Sequence, residues 1–224
     1  IAKILTDFGH PFTTKRPTLN TNYFETFNRK NVQLVDLKTN PIIKITKKGI
    51  KTQNEELKFD KIIFATGYDA LSGPILSLNL TGRKNIKLQK YWKDGPKTFL
   101  GIMIPNFPNF FVISGPGSPS VLTNVPTQIE QHVEWISKFI KHLEKVGSSK
   151  VEPGIKETEN WVNEINILAN KSLFMKAKNS WYKGDNIPGK PKKFIPYPAG
   201  LPQYREICNK VQKKMYKGFN ISLK

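Results

Sequence analysis

Residues 111–125, FVISGPGSPSVLTNV, pass from a strand pattern into a helix pattern within one short stretch. Phe111, Val112 and Ile113 form an apolar run that predicts a buried strand, and a helical repeat begins after Asn124. The glycines and prolines between them leave the backbone bare at some positions and stiff at others. The segment therefore offers backbone amides and hydroxyl groups at the place where a helix begins, which suits a flat or negatively charged ligand.

Further strands and helices are predicted along the chain. Apolar runs and alternating patterns predict strands at 31–38, 42–53 (with a turn at Gly49), 61–68, 98–104 and 109–114. The clearest helix is predicted over 127–146, ending at Gly147, with one apolar face made of Ile129, Val133, Ile136, Phe139, Ile140 and Leu143. Shorter helices are expected over 157–171 and 202–217. The stretch 178–200, rich in proline and glycine, is expected to be a mobile loop that acts as a lid or binding segment.

The charge of the chain does not by itself indicate a nucleic-acid partner. The formal net charge of the 224 residues is +19, but only four of the 36 basic residues are arginines, and the lysines are scattered. This distribution is typical of a solvated surface, so we expect no nucleic-acid partner. Since no apolar run approaches the roughly 20 residues of a membrane helix, no membrane association is expected either.

The N-terminus and the single cysteine indicate where the protein works. The first residue, Ile1, is not an initiator methionine and no charged-then-apolar leader follows it, so we expect a segment of a longer chain without a signal peptide. Cys208 has no partner for an internal disulfide and lies in a helical pattern, so a plain buried thiol is expected. The cytoplasm is therefore the expected compartment.

The usual residues of hydrolytic and metal chemistry do not form a pattern. His10, His132 and His142 have no metal-ligand spacing, and no Ser–His–Asp set or pair of carboxylates stands out. We therefore expect no metal site. The remaining candidates are segments that suit a nucleotide or a flat ring.

Two such segments lie in the first third of the chain, and each has an ordinary alternative. In FATGYD, residues 64–69, the lack of a side chain at Gly67 lets the backbone approach a ligand, or the segment is a plain exit from a strand. In FTTKRPTLN, Lys15 and Arg16 either grip a phosphate or other anion or form a solvated basic pair.

Two more candidates lie later. Around 115–125, Asn124 is expected to cap the helix, whose positive end suits the negative edge of a ligand. Trp181, in the long loop, either contacts a ligand or fills the core.

Taken in order, five segments resemble the C-terminal half of Baeyer–Villiger monooxygenases, the flavoenzymes of the cyclohexanone and phenylacetone monooxygenase type. The resemblance runs from about residue 10 to residue 219. The ATG element is shared with wider flavin monooxygenases, whereas SGPGSPS and SWYKGDNIPGKP are specific to the family. The segments are HPFTTKRPTLNTNYFETFNRKNVQLVDL, IIFATGYDALSG, GPKTFLGIMIPNFPNFFVISGPGSPSVLTN, IEQHVEWI and NSWYKGDNIPGKPKKFIPY.

The resemblance implies an enzyme that reduces FAD with NADPH, captures O2 as a flavin C4a-peroxide and inserts one oxygen atom into a ketone, giving an ester or lactone. It assigns the catalytic role to Arg16, because a guanidinium lowers the energy of an anionic peroxide in a dry pocket. It also implies that Lys15 recognises the 2′-phosphate of NADPH. Trp181 is implied to contact the ribose of the nicotinamide nucleotide.

The other cofactor contacts implied by the resemblance lie in the ATG element and beside the flavin ring. They comprise Thr66 and Gly67, then Gly115, Pro116, Gly117, Ser118, Asn124 and Val125. The implied substrate pocket is formed by Val121, Leu122 and Val125. Val125 and Pro126 replace a methionine–leucine pair common in the family, which changes the expected substrate range.

The resemblance further implies an α/β architecture made of the C-terminal portions of two Rossmann-like domains. Residues 1–9 would end a preceding segment, 10–68 would complete an NADPH-binding domain, and 69–224 would complete an FAD-binding domain. The chain contains no GxGxxG, so neither cofactor's pyrophosphate has a cradle here. We expect the chain to need the N-terminal half of the enzyme as its partner, and alone to bind FAD weakly and be inactive.

Two alternatives stay open at this point. One is a flavin monooxygenase that acts on nitrogen or sulfur centres. The other is a basic binding module without catalytic activity.

Overall fold

The computed structural model of the chain describes residues 1–7 and 9–223. The chain forms two compact units: the first comprises residues 1–12 and 16–68, and the second comprises residues 13–15 and those from 69 onward. Each unit contains both helices and strands. The expected α/β class is therefore confirmed at the level of composition, and the strands that pair are antiparallel.

The first unit is built around a three-stranded antiparallel sheet. Its strands are β1 (Ile42–Ile45), β2 (Gly49–Thr52) and β3 (Glu56–Lys58), in the order β1-β2-β3. A side chain at Gly49 would collide with the facing strand, because its Cβ would lie 2.0 Å from the carbonyl oxygen of Leu57. Strand structure over 42–53 is thus confirmed, but it is divided into β1 and β2, and Gly49 begins β2 rather than lying in the turn. Two short helices, α1 (Ala2–Thr6) and α2 (Tyr23–Thr26), belong to the same unit.

Two strands predicted for the first unit are not formed. In the predicted strand 31–38, residues 32–36 have no regular structure and the chain turns from residue 37. Residues 61–68, predicted to be buried on both faces, are irregular and expose Ile63, Phe64 and Tyr68. A strand is stabilised by ladder hydrogen bonds to a neighbour, and within the described residues neither segment has such a neighbour.

The second unit contains five of the described α-helices, including the three long ones. They are α3 (Gly73–Ser77), α4 (Leu88–Tyr91), α5 (Val125–Lys145), α6 (Ile155–Asn170) and α7 (Leu201–Lys213), with 3-10 turns at Arg83–Asn85, Ser120–Leu122 and Leu173–Lys176. Strands β4 (Ser148–Pro153) and β5 (Phe219–Leu223) pair as an antiparallel ribbon. The three predicted helices are confirmed, and 178–200 is irregular as predicted. Among the described helices, none has the length and apolar character needed to cross a membrane.

Only part of the predicted apolar face of α5 is buried: Ile136 and Phe139 lie in the core, and Leu143 packs against it. Ile129, Val133 and Ile140 were assigned to the core, yet they are 39%, 44% and 41% exposed. The buried positions are Gln128, Gln131, His132, Trp135, Ile136 and Phe139. Aromatic rings bury more apolar area than aliphatic side chains, so Trp135 and Phe139 determine which side of the helix faces inward.

The core of the second unit is rich in stacked rings. Phe139 of α5 stacks on Tyr216 with ring centroids 4.1 Å apart. Trp161 of α6 stacks on Tyr197 at 4.9 Å, with the ring planes 9° from parallel. The buried Cys208 of α7 lies in the same core, as expected for a plain thiol, and burial raises its pKa to about 12.

The predicted strands 98–104 and 109–114 lie in this core but are reduced to isolated bridges. Phe99 pairs with Met103, and Met103 pairs with Phe111. The first run cannot continue as a strand because Leu100 and Gly101 have φ values of +57° and +68°, which reverse the chain.

Candidate functional site

The GPGS segment that begins at Gly115 is buried in the second unit and bonded from three sides. The amide of Gly117 donates to the carbonyl oxygen of Ile195 at 2.9 Å, and the indole Nε1 of Trp161 donates to the carbonyl oxygen of Gly117 at 3.0 Å. The Ser118 hydroxyl donates to the carbonyl oxygen of Gly115 at 2.7 Å. The segment is therefore held by α6, by the long loop and by its own turn.

Glycine is required at two positions of this segment by packing within the chain. A Cβ on Gly115 would lie 2.5 Å from the carbonyl oxygen of Gly101, and a Cβ on Gly117 would lie 2.8 Å from Thr98 Oγ1. Gly117 also has a φ of +89°, a region that residues with side chains rarely adopt. The Thr98 hydroxyl donates a short hydrogen bond to the carbonyl oxygen of Pro116. Contacts between chain segments thus explain both glycines without a ligand.

A cavity of about 230 Å³ opens beside Pro116 and Gly117. Val162, Ile165 and Phe194 contribute apolar walls, and the cations among its lining residues are Lys97 and Lys193. This volume is below the roughly 300 Å³ at which complete small-molecule sites begin, so the cavity suits one part of a ligand.

The start of α5 has the N-cap predicted from the sequence. Asn124 Oδ1 accepts a hydrogen bond from the amide of Thr127 at 3.1 Å. Val121 and Leu122, in the 3-10 turn just before, are half-buried and pack against the core. Val125 is also half-buried. The three residues implied to line a substrate pocket thus lie close together in the chain, each with part of its surface accessible.

Trp181 is partly buried rather than free in the loop. It packs against the core, and its ring centroid lies 4.6 Å from that of Tyr182. The amide of Ile195 donates to the carbonyl oxygen of Tyr182 at 2.9 Å, which ties the two ends of the loop together. Trp181 therefore combines packing with a surface that remains accessible.

Two ion pairs fix the course of this loop. Lys190 Nζ pairs with Asp69, the last residue of FATGYD, and reaches the carbonyl oxygen of Ala70 at 3.4 Å. Only 11% of the Lys190 side chain is exposed. Lys183 and Asp185 form a second, more deeply buried pair at 3.1 Å. Neither pair was predicted; Lys190 and Asp69 lie 121 positions apart, so no local pattern indicates their contact.

His132 of α5 is completely buried and links three segments of the second unit. Its Nδ1 accepts from the amide of Ser114 at 3.2 Å, and its Nε2 lies 2.7 Å from the Tyr204 hydroxyl. The same hydroxyl lies 2.5 Å from the carbonyl oxygen of Leu100. Burial lowers the pKa of His132 to about 4, and a hydrogen bond to the backbone of Val112 acts in the opposite direction. The sequence predicted the position of His132 on the helix but no role for it.

The predicted residues of the first unit are exposed. Arg16, Thr66 and Gly67 all lie at the surface, whereas Lys15, which is counted with the second unit, is half-buried. Gly67 has a φ of +91°, and no atom lies within 4 Å of the place where its Cβ would be. This open space is what a close approach between backbone and ligand requires.

Thr98, Trp161 and Tyr204 were missed by reasoning from the sequence. Trp161 and Tyr204 lie in predicted helices, but no sequence pattern indicates the hydrogen bonds that they make. Tyr204 and His132 are 72 residues apart, and no local signal predicts such a contact. Within residues 1–7 and 9–223, no group of three or more metal-binding side chains occurs.

Comparison with known proteins confirms the resemblance to Baeyer–Villiger monooxygenases. No protein-family model matches the chain. A cyclohexanone 1,2-monooxygenase from Acinetobacter is 38% identical over 210 residues, which are 93% of this chain and 38% of the relative. A phenazine N-monooxygenase from Lysobacter antibioticus is 37% identical over 206 residues, covering 92% of this chain and 38% of the relative.

The fold of the chain matches part of solved monooxygenase structures. A crystal structure of OTEMO in complex with FAD and NADP has a TM-score of 0.93 and 34% sequence identity, covering 99% of this chain and 40% of that one. The chain therefore spans about two fifths of the length of the proteins it matches.

Several features of the described residues fit a flat, partly charged cofactor. The open side of Gly67 leaves room for one. Two buried polar atoms beside His132, Ser114 Oγ and Gln128 Oε1, have no hydrogen-bond partner among the described residues. Buried polar atoms almost always have a hydrogen-bond partner, and the polar edge of a ring at this place would supply one.

Proposed function

We propose that this chain is the C-terminal part of a Baeyer–Villiger-type monooxygenase that uses FAD and NADPH to insert one oxygen atom from O2 into a ketone, giving an ester or lactone. The observation that carries this proposal is the 38% identity to a cyclohexanone 1,2-monooxygenase over 93% of the chain. The N-terminal remainder of such an enzyme would supply the GxGxxG cradles for both pyrophosphates.

The two units correspond, in this proposal, to the ends of two Rossmann-like domains. Residues 10–68 complete the NADPH-binding domain, and residues 69–224 complete the FAD-binding domain. The exposure of Ile63 and Phe64, at 91% and 68%, supports this assignment. Apolar side chains of this size are normally covered, so the segment KIIFATGY is expected to become a buried strand once neighbouring strands flank it.

When bound, FAD supplies the oxygen-activating chemistry and NADPH supplies the reducing equivalents. Thr66 and Gly67 offer bare backbone to a cofactor, and Gly115, Pro116, Gly117, Ser118, Asn124 and Val125 lie along the flavin. Lys15 holds the 2′-phosphate of NADPH, and Trp181 contacts the ribose of its nicotinamide half.

Catalysis and substrate binding involve other residues in this proposal. Arg16 provides a fixed guanidinium that stabilises negative charge developing during oxygen transfer. The ketone contacts Val121, Leu122 and Val125, which are half-buried apolar residues ahead of and at the start of α5. Because apolar walls bind apolar surface without direction, these residues select the size of the ketone more than its polarity.

A second candidate function is oxygen transfer to an aromatic nitrogen. It is favoured by the phenazine N-monooxygenase, which matches this chain at nearly the same identity and coverage as the ketone-oxidising relative. The two candidates share the cofactors and differ in the substrate.

The test is a chimaera in which this chain replaces the matching 210-residue segment of the Acinetobacter enzyme. We expect the purified chimaera to be yellow with bound flavin and to convert cyclohexanone to its lactone with consumption of NADPH. Phenazine serves as the competing substrate, and formation of its N-oxide without lactone would favour the second candidate. A folded, flavin-loaded chimaera that oxidises neither substrate would contradict both.

A further inference from the structure

The hydrogen bonds that link His132 to Ser114 and Tyr204 favour one arrangement of protons. The amide of Ser114 can only donate, so Nδ1 of His132 must present its lone pair. The carbonyl oxygen of Leu100 can only accept, so the Tyr204 hydroxyl must direct its proton there. Nε2 of His132 then carries the remaining hydrogen and donates it to the Tyr204 oxygen, 2.7 Å away. The ring is therefore neutral, in the Nε2–H tautomer.

Both ends of this chain of hydrogen bonds lie on backbone that is unfavourable for residues with side chains. Ser114 has a φ of +54° and Leu100 a φ of +57°, both in the left-handed region. Each precedes a glycine, Gly115 or Gly101, at the point where the two chain segments cross. The segments are so close there that a Cβ on Gly115 would lie 2.5 Å from the Gly101 oxygen. Strained residues of this kind persist only where surrounding contacts hold them, and they concentrate at functional sites.

We propose that His132 is a positioning residue. It is bonded directly to Ser114 and, through Tyr204, to Leu100. It thereby holds the two chain segments whose crossing places the GPGS segment. The cofactor consequence of this inference rests on the proposed function, in which Gly115 to Ser118 lie along the flavin. His132 makes no contact with the reacting atoms in this role.

The surroundings of His132 support a fixed orientation. Its ring stacks on that of Tyr204, with centroids 5.6 Å apart and planes 27° from parallel. Gln128, one turn earlier on α5, is completely buried beside it, with its side-chain amide 3.5 Å from His132 Nε2. Because Nε2–H only donates, this tautomer requires the amide oxygen of Gln128, rather than the nitrogen, to face it. Because stacking and hydrogen bonds at both nitrogens fix the ring, the position of α5 determines the position of the two crossing segments.

The first test reads the tautomer in the 224-residue chain by the nitrogen-15 chemical shifts of the histidine side chains. We expect the His132 signals, assigned by their loss in His132→Gln, to show a proton on Nε2 and a bare Nδ1 at neutral pH. A proton on Nδ1, or rapid exchange between the two tautomers, would overturn the inference, whether or not the proposed function is correct.

The second test compares variants by amide hydrogen exchange over residues 114–118. His132→Phe keeps a ring but removes both hydrogen bonds, and Tyr204→Phe removes only the link to Leu100. We expect exchange at these amides to rise by about fivefold to a hundredfold in both, since an unpartnered buried group costs about 1–3 kcal/mol. His132→Gln, which keeps a donor and an acceptor, should restore part of the protection.

His142→Phe is the matched control, because His142 lies on the same helix and packs on Tyr216 outside this network. Its exchange over 114–118 should equal that of the unmodified chain. Unchanged exchange in both His132→Phe and Tyr204→Phe would refute the positioning role.

The cofactor consequence is tested in the chimaera by FAD affinity. We expect His132→Phe to weaken FAD binding by roughly tenfold and His142→Phe to leave it unchanged. Equal affinity in His132→Phe and the parent chimaera would overturn that consequence. A parent chimaera without flavin would instead count against the proposed function, while the tautomer and exchange results still decide the role of His132.

Discussion

The indole Nε1 of Trp161 donates a hydrogen bond to the carbonyl oxygen of Gly117 at 3.0 Å, although the two residues lie 44 positions apart. Trp161 is 3% exposed and stacks on Tyr197, so this bond is shielded from water. Through it, α6 holds the segment that the proposed function places beside the flavin.

We expect Trp161→Phe to destabilise the chain by about 1–3 kcal/mol. A phenyl ring keeps most of the stacking on Tyr197 but leaves the buried carbonyl of Gly117 without its donor. The measurement is urea unfolding followed by circular dichroism. Trp181→Phe is the control, since Trp181 is only partly buried, and an equal loss in both variants would show that ring size rather than the hydrogen bond matters.

Gly117→Ala should cost more stability than Gly147→Ala. Both glycines have positive φ, at +89° and +68°, so each alanine carries a backbone penalty of about 1–2 kcal/mol. Only Gly117 adds a clash, with Thr98 Oγ1 at 2.8 Å, whereas nothing lies within 4 Å of a Cβ on Gly147. Overpacking adds about 1–3 kcal/mol, which thermal or urea unfolding of the two variants resolves. Equal losses would show that the crossing relaxes to admit a methyl group.

Lys15→Ala in the chimaera should weaken binding of NADPH by about tenfold to a hundredfold, because a charged hydrogen bond is worth roughly 1.5–3 kcal/mol. Binding of NADH should change little, since NADH has no 2′-phosphate. The measurement is the KM for each nucleotide. An equal loss for both would remove Lys15 from phosphate recognition.

Arg16→Ala in the chimaera should leave flavin bound and reducible by NADPH but lower ester formation by about a hundredfold or more. Arg16→Lys should also be impaired, because lysine keeps the charge without the planar fork of donors. Hydrogen peroxide released per NADPH consumed should rise as ester yield falls. Ester formation that stays coupled to NADPH consumption in Arg16→Ala would exclude the catalytic role.

The stability of the chain should fall between pH 6.5 and about pH 4 because of His132. Burial lowers its pKa to about 4 in the folded protein from 6.5 in the unfolded chain, so the unfolded state binds the proton first as the pH falls. The contribution of the neutral His132 to the free energy of unfolding is complete above pH 6.5 and is lost progressively down to about pH 4. It amounts to about 3 kcal/mol.

The matched comparison for this pH dependence is His132→Gln, which cannot titrate. The difference in unfolding free energy between the unmodified chain and the variant isolates the contribution of His132, because all other titratable groups are common to both proteins. This difference should shrink as the pH falls through that window. A difference that stays constant from pH 7 to pH 4 would show that His132 is not neutral and buried as described.

Local patterns were sufficient where a residue's state depends on its close neighbours in the chain. The helices near 127–146, 157–171 and 202–217 follow from spacing of apolar residues, and the cap at Asn124 follows from a side chain that reaches an amide three residues on. The resemblance to the monooxygenases was also carried by short motifs that survive in sequence order.

Patterns failed where the state depends on a distant partner. Residues 61–68 have the composition of a buried strand, but a strand exists only when another strand accepts its hydrogen bonds. The inward face of α5 was only partly predicted, because the spacing of aliphatic residues does not indicate the rings that Trp135 meets across the core.

The sequence by itself determined the three longer helices, the helix start at Asn124 and the resemblance to flavin-dependent monooxygenases. Only the tertiary structure decided that Gly115 and Gly117 serve a backbone crossing, that Trp161 bonds to Gly117, and that His132 joins Ser114 to Tyr204. The physical reason is range. Helix and turn propensities act over a few residues, whereas hydrogen bonds and excluded volume act between any atoms that folding brings within a few ångströms.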